Sequence, residues 1–320
     1  KLREVMEIAD RIVVIRRGQV VGETTPAEAD KNALAAMMVG RQVNLTVKKK
    51  EPQPGELVFK VENLIVADKF QNIVVDDVSF EIREGEILGI AGVQGNGQTE
   101  LVEAITGLTK IASGSITLLG QNISNAAPRK ITELGTAHVP EDRQSVGLVL
   151  PFPVAENLVL CTYYQAPFSK GIILQYDAIL EHAEKLIKEF DIRTPSALTP
   201  VSTLSGGNQQ KVIIARELSR PIKFLAASQP TRGLDVGSIE YIHKCIIQKR
   251  DEGCAVLLVS PELDEILELS DRIAVMYRGK ILAIVPNKGI SKDYIGLLMA
   301  GIIPEEPIQL SGETEIEVTF

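Results

Sequence analysis

The chain has 320 residues, 45% of them hydrophobic, and a formal net charge of -8. That is enough apolar content for the core of one large or two modest domains. The acidic balance argues against a nucleic-acid partner, because phosphate backbones are bound by basic faces. There is no apolar run of about 18 residues to span a bilayer, and the charged start Lys1-Leu2-Arg3-Glu4 lacks the apolar core of a secretion signal. Cys161, Cys245 and Cys254 form no C-x-x-C pair and no metal-ligand spacing, so they read as buried thiols in a reducing cytosol. His138, His182 and His243 are scattered and read as structural or surface residues.

An internal repeat comes first in the chain. Leu2 to Ile12 parallels Leu263 to Ile273 at an offset of 261 positions, and the match still holds at Arg17-Gly18 against Arg278-Gly279 and at Met38 and Gly40 against Met299 and Gly301. In each copy the pattern predicts a helix, a strand, a tight glycine turn, a second strand and a terminal helix. Residues 1–41 therefore read as the tail of a preceding domain, and one whole copy follows. Residues 42–56 carry charge, proline and glycine without periodicity, the composition of a linker.

Leu57 to Val61 and Val74 to Ile82 alternate apolar and polar residues with β-branched content, which predicts antiparallel strands. The run Glu86 to Ala91 reads as a buried strand and Glu100 to Ile105 as a helix. Between them, Gly92-Val93-Gln94-Gly95-Asn96-Gly97-Gln98-Thr99 has the spacing of the phosphate-cradling loop G-x-x-x-x-G-K-[ST], with Gln98 where the lysine belongs. Strand, loop and helix together supply free amides and a positive helix end, both of which attract phosphate oxygens. Gly114 to Gly120 reads as another hairpin strand. Residues about 150–215 are richer in helical signals, including the amphipathic stretch Tyr176 to Ile187. Phe224 to Ala227 and Ala255 to Val259 are short apolar runs of the buried parallel type, separated by a helix from Ile239 to Lys249.

The most specific string is Leu204-Ser205-Gly206-Gly207-Asn208-Gln209-Gln210-Lys211, a serine N-cap followed by two glycines at a helix start. Such an end offers amides and a positive dipole to an anion, with no side chain to block close approach. It lies about 110 residues after the phosphate loop and just before a buried strand. The string resembles the signature motif of the ATP-binding-cassette (ABC) ATPases, and the resemblance covers residues 57–301. It implies an α/β P-loop NTPase fold of ABC type, with an antiparallel β subdomain and a helical signature subdomain. On the same resemblance Glu141 stands at the glutamine-loop position, Asp235 at the aspartate of the D-loop, and Phe70 near the position of the aromatic that stacks on adenine. ATP would be contacted by Gly92, Gly95, Asn96, Gly97, Gln98, Thr99, Glu141, Ser205, Gly206, Gly207, Gln209 and Asp235, with Thr99 left as a weak magnesium ligand.

The family's catalytic charges are replaced in this copy. Gln98 stands for the lysine, Ser228 for the magnesium-holding aspartate, Gln229 for the catalytic glutamate and Pro261 for the switch histidine. Phosphoryl transfer rests on electrostatic stabilisation and positioning, and one lost donor costs about 3 kcal/mol or more. No hydrolysis is expected here, with magnesium weakly held or absent. In the family two cassettes face head to tail, so the intact Ser205 to Gly207 would complete the catalytic site of a preceding cassette. The sequence resembles the ATPase subunit of simple-sugar and nucleoside importers, its Gln229 to Gly237 string being similar to the nucleoside branch. The implied partners are a preceding cassette, transmembrane permease subunits and, indirectly, a substrate-binding protein, at the cytoplasmic face of the membrane. A histidine directly before Lys1 and a complete G-x-x-x-x-G-K-[ST] further upstream are expected. The rival expectations are a soluble tandem ABC ATPase and a non-catalytic nucleotide-binding or regulatory module. Residues 302–320 read as a solvated acidic tail.

Overall fold

In the computed structural model the described residues are 2–16, 18–42, 47 and 49–303. The acidic tail expected over 302–320 therefore lies outside them from residue 304 onward. The chain opens with α1 (Leu2–Ile8), β1 (Ile12–Arg16), β2 (Gln19–Thr24) and α2 (Lys31–Val39). Next come β3 (Leu57–Ala67), β4 (Ile73–Arg83), β5 (Ile87–Ala91), α3 (Gln98–Ile105), β6 (Ser113–Leu118), β7 (Gln121–Asn122), α4 (Pro128–Glu133) and β8 (Thr136–Val139). A largely helical passage follows with α5 (Val154–Leu158), β9 (Ser169–Lys170), β10 (Ile173–Leu174), α6 (Tyr176–Glu189) and α7 (Gly206–Leu218). The chain then returns to the core with β11 (Phe224–Ser228), α8 (Val236–Asp251), β12 (Ala255–Ser260), α9 (Leu263–Leu269), β13 (Arg272–Tyr277), β14 (Lys280–Pro286) and α10 (Lys292–Met299).

Two sheets sandwich α3. The larger runs β14-β13-β5-β12-β11-β8, parallel throughout except for the antiparallel edge strand β14. Its central strands β5, β11 and β12 are buried along their whole length, as expected of strands covered on both faces. The smaller is antiparallel, in the order β4-β3-β6-β7. Leu101 and Ile105 of α3 pack between the sheets with Phe59, Phe80 and Phe224. Phe59 and Phe224 stack with ring centroids 4.0 Å apart, joining the two sheets directly. The helices of the insert and α7 cover the opposite face of the parallel sheet.

The repeat is structural as well as textual. At the 261 offset the helix–hairpin–helix units coincide to within one residue at nearly every boundary, and both hairpins carry a register shift at the same place, Val14/Ile15 and Val275/Met276. Asp30 and Ser291 cap the terminal helices, and Gly40 and Gly301 end them at φ values of 84° and 80°. The stretch read as a linker has no secondary structure among its described residues, but it is strapped down. Val47 N–H donates to Glu268, Lys49 Nζ to the carbonyls of Leu269 and Ser270, and Arg250 to the carbonyl of Lys50.

Candidate nucleotide site and signature cleft

Parallel pairing aligns Ser228 with Val259 and Ser260 with Ala91. The phosphate loop, Ser228-Gln229 and Ser260-Pro261 therefore emerge together at the carboxyl edge of the sheet, where open α/β sheets hold ligands. Between them lies a cavity of only about 10 Å³, room for roughly one water. It is bounded by Gly92, Gln98, Thr99, Glu141, Ser228 and Pro261, among others. Gln229, next to Ser228, sits at φ 45° and donates its N–H to Val259 O at 2.7 Å.

Gln98 is 8% exposed and folds back on its own loop. Its Oε1 accepts from Asn96 N–H at 3.0 Å and its Nε2 donates to Val93 O at 3.1 Å. A lysine ammonium has no acceptor and could not make the first of these bonds. One amide of the cradle is thus already satisfied from within. Gly97 holds φ 101°, and a Cβ there would meet Val74 O at 2.3 Å, so the loop lies hard against β4. The β13–β14 turn clasps the loop from the other side. Gly279 N–H donates to Asn96 O at 2.9 Å and Arg278 N–H to Asn96 Oδ1 at 2.8 Å.

Glu141 joins this loop to the segment after β11. Its carboxylate accepts from Gln94 Nε2 (2.8 Å), Thr99 Oγ1 (3.2 Å) and Arg232 Nη1 (2.6 Å). Thr99, the expected magnesium ligand, is therefore engaged by a carboxylate. Among the described residues no group of three histidine, cysteine or acidic side chains is arranged to hold a metal. The donor set and the closed cavity do not fit magnesium with nucleotide phosphates in this conformation.

The signature residues lie elsewhere and face a larger opening. Ser205, Asn208 and Asp235 line a cleft of about 630 Å³ whose other wall includes Arg16, Gln19 and Val39 of the amino-terminal unit. Ser205 precedes α7 in extended geometry, but its side chain caps no amide; its Oγ accepts from Asn208 Nδ2 at 3.0 Å. The capping bond expected from the sequence is thus corrected to a side-chain pair. The two glycines also make room for protein groups, not only for a ligand. A Cβ on Gly206 would lie 2.8 Å from Arg143 Nη2, and one on Gly207 would lie 2.4 Å from Ser238 Oγ. Arg143 Nη1 donates to Arg232 O, while its buried Nε has no hydrogen-bond partner among the described residues. Asp235 caps α8, accepting from Ser238 N–H (3.0 Å) and Ser238 Oγ (2.7 Å). Gln209 is buried, donating to Val201 O and accepting from Gln144, and does not line the cleft. Phe70 is 72% exposed on the turn between β3 and β4, with Lys69 Nζ 5.1 Å from its ring centre.

Two buried hydrogen-bonded clusters around a carboxylate were not legible as such in the sequence. Behind Gln229 and Pro261, Glu265 Oε1 accepts from Thr231 Oγ1 at 2.6 Å and hydrogen-bonds His243 Nε2 at 2.9 Å. Burial alone would raise the Glu265 carboxyl, but His243 and the hydroxyls of Ser260 and Thr231 outweigh it and hold the pKa below its ordinary value. At the far end of α7, Glu217 accepts from Arg216 Nε (2.8 Å) and Arg220 Nη2 (2.7 Å), and Arg216 Nη1 reaches Gly147 O. Apolar periodicity marks neither cluster: Thr231, His243 and Glu265 lie on separate segments, and Arg216, Glu217 and Arg220, though neighbours at the end of α7, are charged residues whose burial only the tertiary packing sets.

A parallel sheet with a phosphate loop after its central strand, an antiparallel sheet beside it and a signature helix on a helical insert define an ABC ATPase cassette of the P-loop NTPase type. Residues 75–232 match the ABC transporter family. The chain is 52% identical over 301 residues to the nucleoside import ATP-binding protein NupA of Lactococcus lactis, covering 94% of this chain and 60% of that protein. It is 48% identical to the guanosine import ATP-binding protein NupO of Bacillus subtilis, covering 95% of this chain and 60% of that protein. The chain thus spans about 60% of the length of these relatives. Among solved structures, a nucleotide-free ATP-binding cassette from an ABC transporter superposes with a TM-score of 0.63 at 23% identity, covering 77% of this chain and 96% of that one. The chain contains an ABC transporter ATP-binding domain, and that membership implies ATP, usually with magnesium. No helix among the described residues is long and apolar enough to cross a membrane.

Proposed function

We propose that this chain is part of the ATP-binding subunit of an importer for nucleosides, in which a preceding cassette does the hydrolysis and this one completes its site. The observation that carries the reading is the cleft of about 630 Å³ between the amino-terminal hairpin and the signature helix. In the complete copy the hairpin turn clasps a phosphate loop through Asn96. In the amino-terminal copy the residues flanking the corresponding turn, Arg16 and Gln19, border the cleft opposite Ser205 and Asn208. A phosphate loop belonging to the amino-terminal unit would, by the repeat, sit beside that turn and so face this signature. Docking of the unit is supported by Val39 packing on Gly237 and by Arg41 Nη1 pairing with the buried Glu240 at 2.8 Å.

The cassette's own site is non-hydrolytic in this reading. Gln98, Ser228, Gln229 and Pro261 supply no charge for magnesium or an attacking water, and Gln98 occupies its own cradle. Residues 1–41 are then the end of the first cassette, 42–56 the connection and 57–301 the second cassette. Permease subunits at the cytoplasmic face of the membrane and a substrate-binding protein are the partners. Nucleoside is preferred as cargo because relatives at 52% and 48% identity carry nucleoside and guanosine import names, whereas a xylose import relative stands at 42%. ATP turnover by this chain alone is the test. No turnover above background is expected, and robust magnesium-dependent hydrolysis would overturn the assignment.

A further inference from the structure

The phosphate loop of this chain is held by a group that has the chemistry of its ligand. A bound phosphate oxygen takes hydrogen bonds from N–H donors and cationic side chains, while the loop's threonine hydroxyl is turned toward the same anionic group and its metal. Here the Glu141 carboxylate takes the Thr99 hydroxyl and the Gln94 amide from the loop, and the Arg232 guanidinium from the opposite side. Gln98 Oε1 takes the Asn96 N–H. Among the described residues Glu141 is the only carboxylate bordering the cavity of about 10 Å³. With a guanidinium 2.6 Å from Oε1, the position a metal cation would take beside this carboxylate is filled by a cation of the chain itself.

We propose that Glu141 is an internal anion standing in for a nucleotide phosphate: it holds the loop, Thr99 and Arg232 in a filled-site arrangement without nucleotide and bars phosphate from entering. Glu141 lies between Arg232 and Thr99, and the cavity of about 10 Å³ beside it leaves no room for a second anion. A phosphate close to Thr99 would also face the Glu141 charge across a few ångströms of partly desolvated space, where like charges repel strongly. Since Arg232 O in turn accepts from Arg143, whose guanidinium lies against Gly206, the internal anion also fixes the segment beside the signature helix.

The inference rests on the non-hydrolytic reading of this site and makes a separate demand on the chain. Thermal unfolding is measured for the wild-type chain and for Glu141→Ala, in inorganic phosphate and in chloride at matched ionic strength. Glu141→Ala should melt several degrees lower, and phosphate should restore most of the loss while leaving the wild type unmoved. Equal responses of the two proteins to phosphate would overturn the proposal. Should Glu141→Ala not fold, the isosteric Glu141→Gln carries the test through calorimetric binding of magnesium-free ATP. Binding about tenfold tighter than wild type is expected from removal of one facing charge, and unchanged or weaker binding would overturn it. Turnover recorded on the same samples separates the two readings. Hydrolysis by the wild type sinks the functional assignment, whereas failed phosphate rescue without hydrolysis sinks only the internal anion.

Discussion

Glu217→Gln removes one negative charge at the far end of the signature helix and keeps the side-chain shape. Glu217 is 3% exposed and faces two guanidiniums, Arg216 at 2.8 Å and Arg220 at 2.7 Å. Burial pushes its carboxyl up, but the two arginines win and hold the pKa at about 2 against an ordinary 4.5. That difference corresponds to about 3 kcal/mol at neutral pH, in line with the roughly 3–5 kcal/mol lost when one partner of a buried pair is removed. A depressed carboxyl contributes stability that is complete above its unfolded pKa and is lost as pH falls through the folded value. The gap between wild type and Glu217→Gln should therefore be constant at neutral pH and close between about 4.5 and about 2. Differential scanning at neutral pH should show a melting point about 4–5 °C lower for the variant. A gap below about 1 kcal/mol at neutral pH, or one that does not shrink in acid, would refute the reading that the two guanidiniums stabilise the ionised Glu217.

Gly207→Ala places a Cβ 2.4 Å from Ser238 Oγ; it should cost about 1–3 kcal/mol by overpacking, and thermal melts of Gly207→Ala/Ser238→Ala should recover part of that loss non-additively. Gln98→Lys removes the acceptor for Asn96 N–H, so calorimetry should show tighter ATP binding while phosphate-release assays still detect no turnover, because Ser228, Gln229 and Pro261 remain. Glu240→Ala takes away the carboxylate shared by Arg41 at 2.8 Å and Lys244 at 2.6 Å. Hydrogen exchange in α2 should speed up, while β5, β11 and β12 stay protected.

Much of the architecture was legible because it is written at short range. The 261-residue offset, the glycine turns and the apolar runs at Ile87 to Ala91, Phe224 to Ala227 and Ala255 to Val259 each depend on neighbours a few positions away, and their elements lie where periodicity and turn chemistry put them. The absent charges were equally plain, since Gln98, Ser228, Gln229 and Pro261 are identities rather than conformations. What the side chains do with those identities was not legible. The sequence suggested that Ser205 caps an amide, whereas it pairs with Asn208; it read His243 as a structural or surface residue, without the buried carboxylate that its ring bonds.

The sequence by itself determined the loop's spacing, the missing lysine and the intact Ser205-Gly206-Gly207 string. Only the tertiary structure decided that the loop is closed on Gln98, that Glu141 bonds Gln94, Thr99 and Arg232 together, and that the signature opens toward the amino-terminal unit. The physical reason is separation along the chain. Glu141 meets Gln94 across 47 positions and Arg232 across 91, and Arg41 meets Glu240 across 199. No local pattern encodes pairings that exist only once the sheets have brought those residues to one edge.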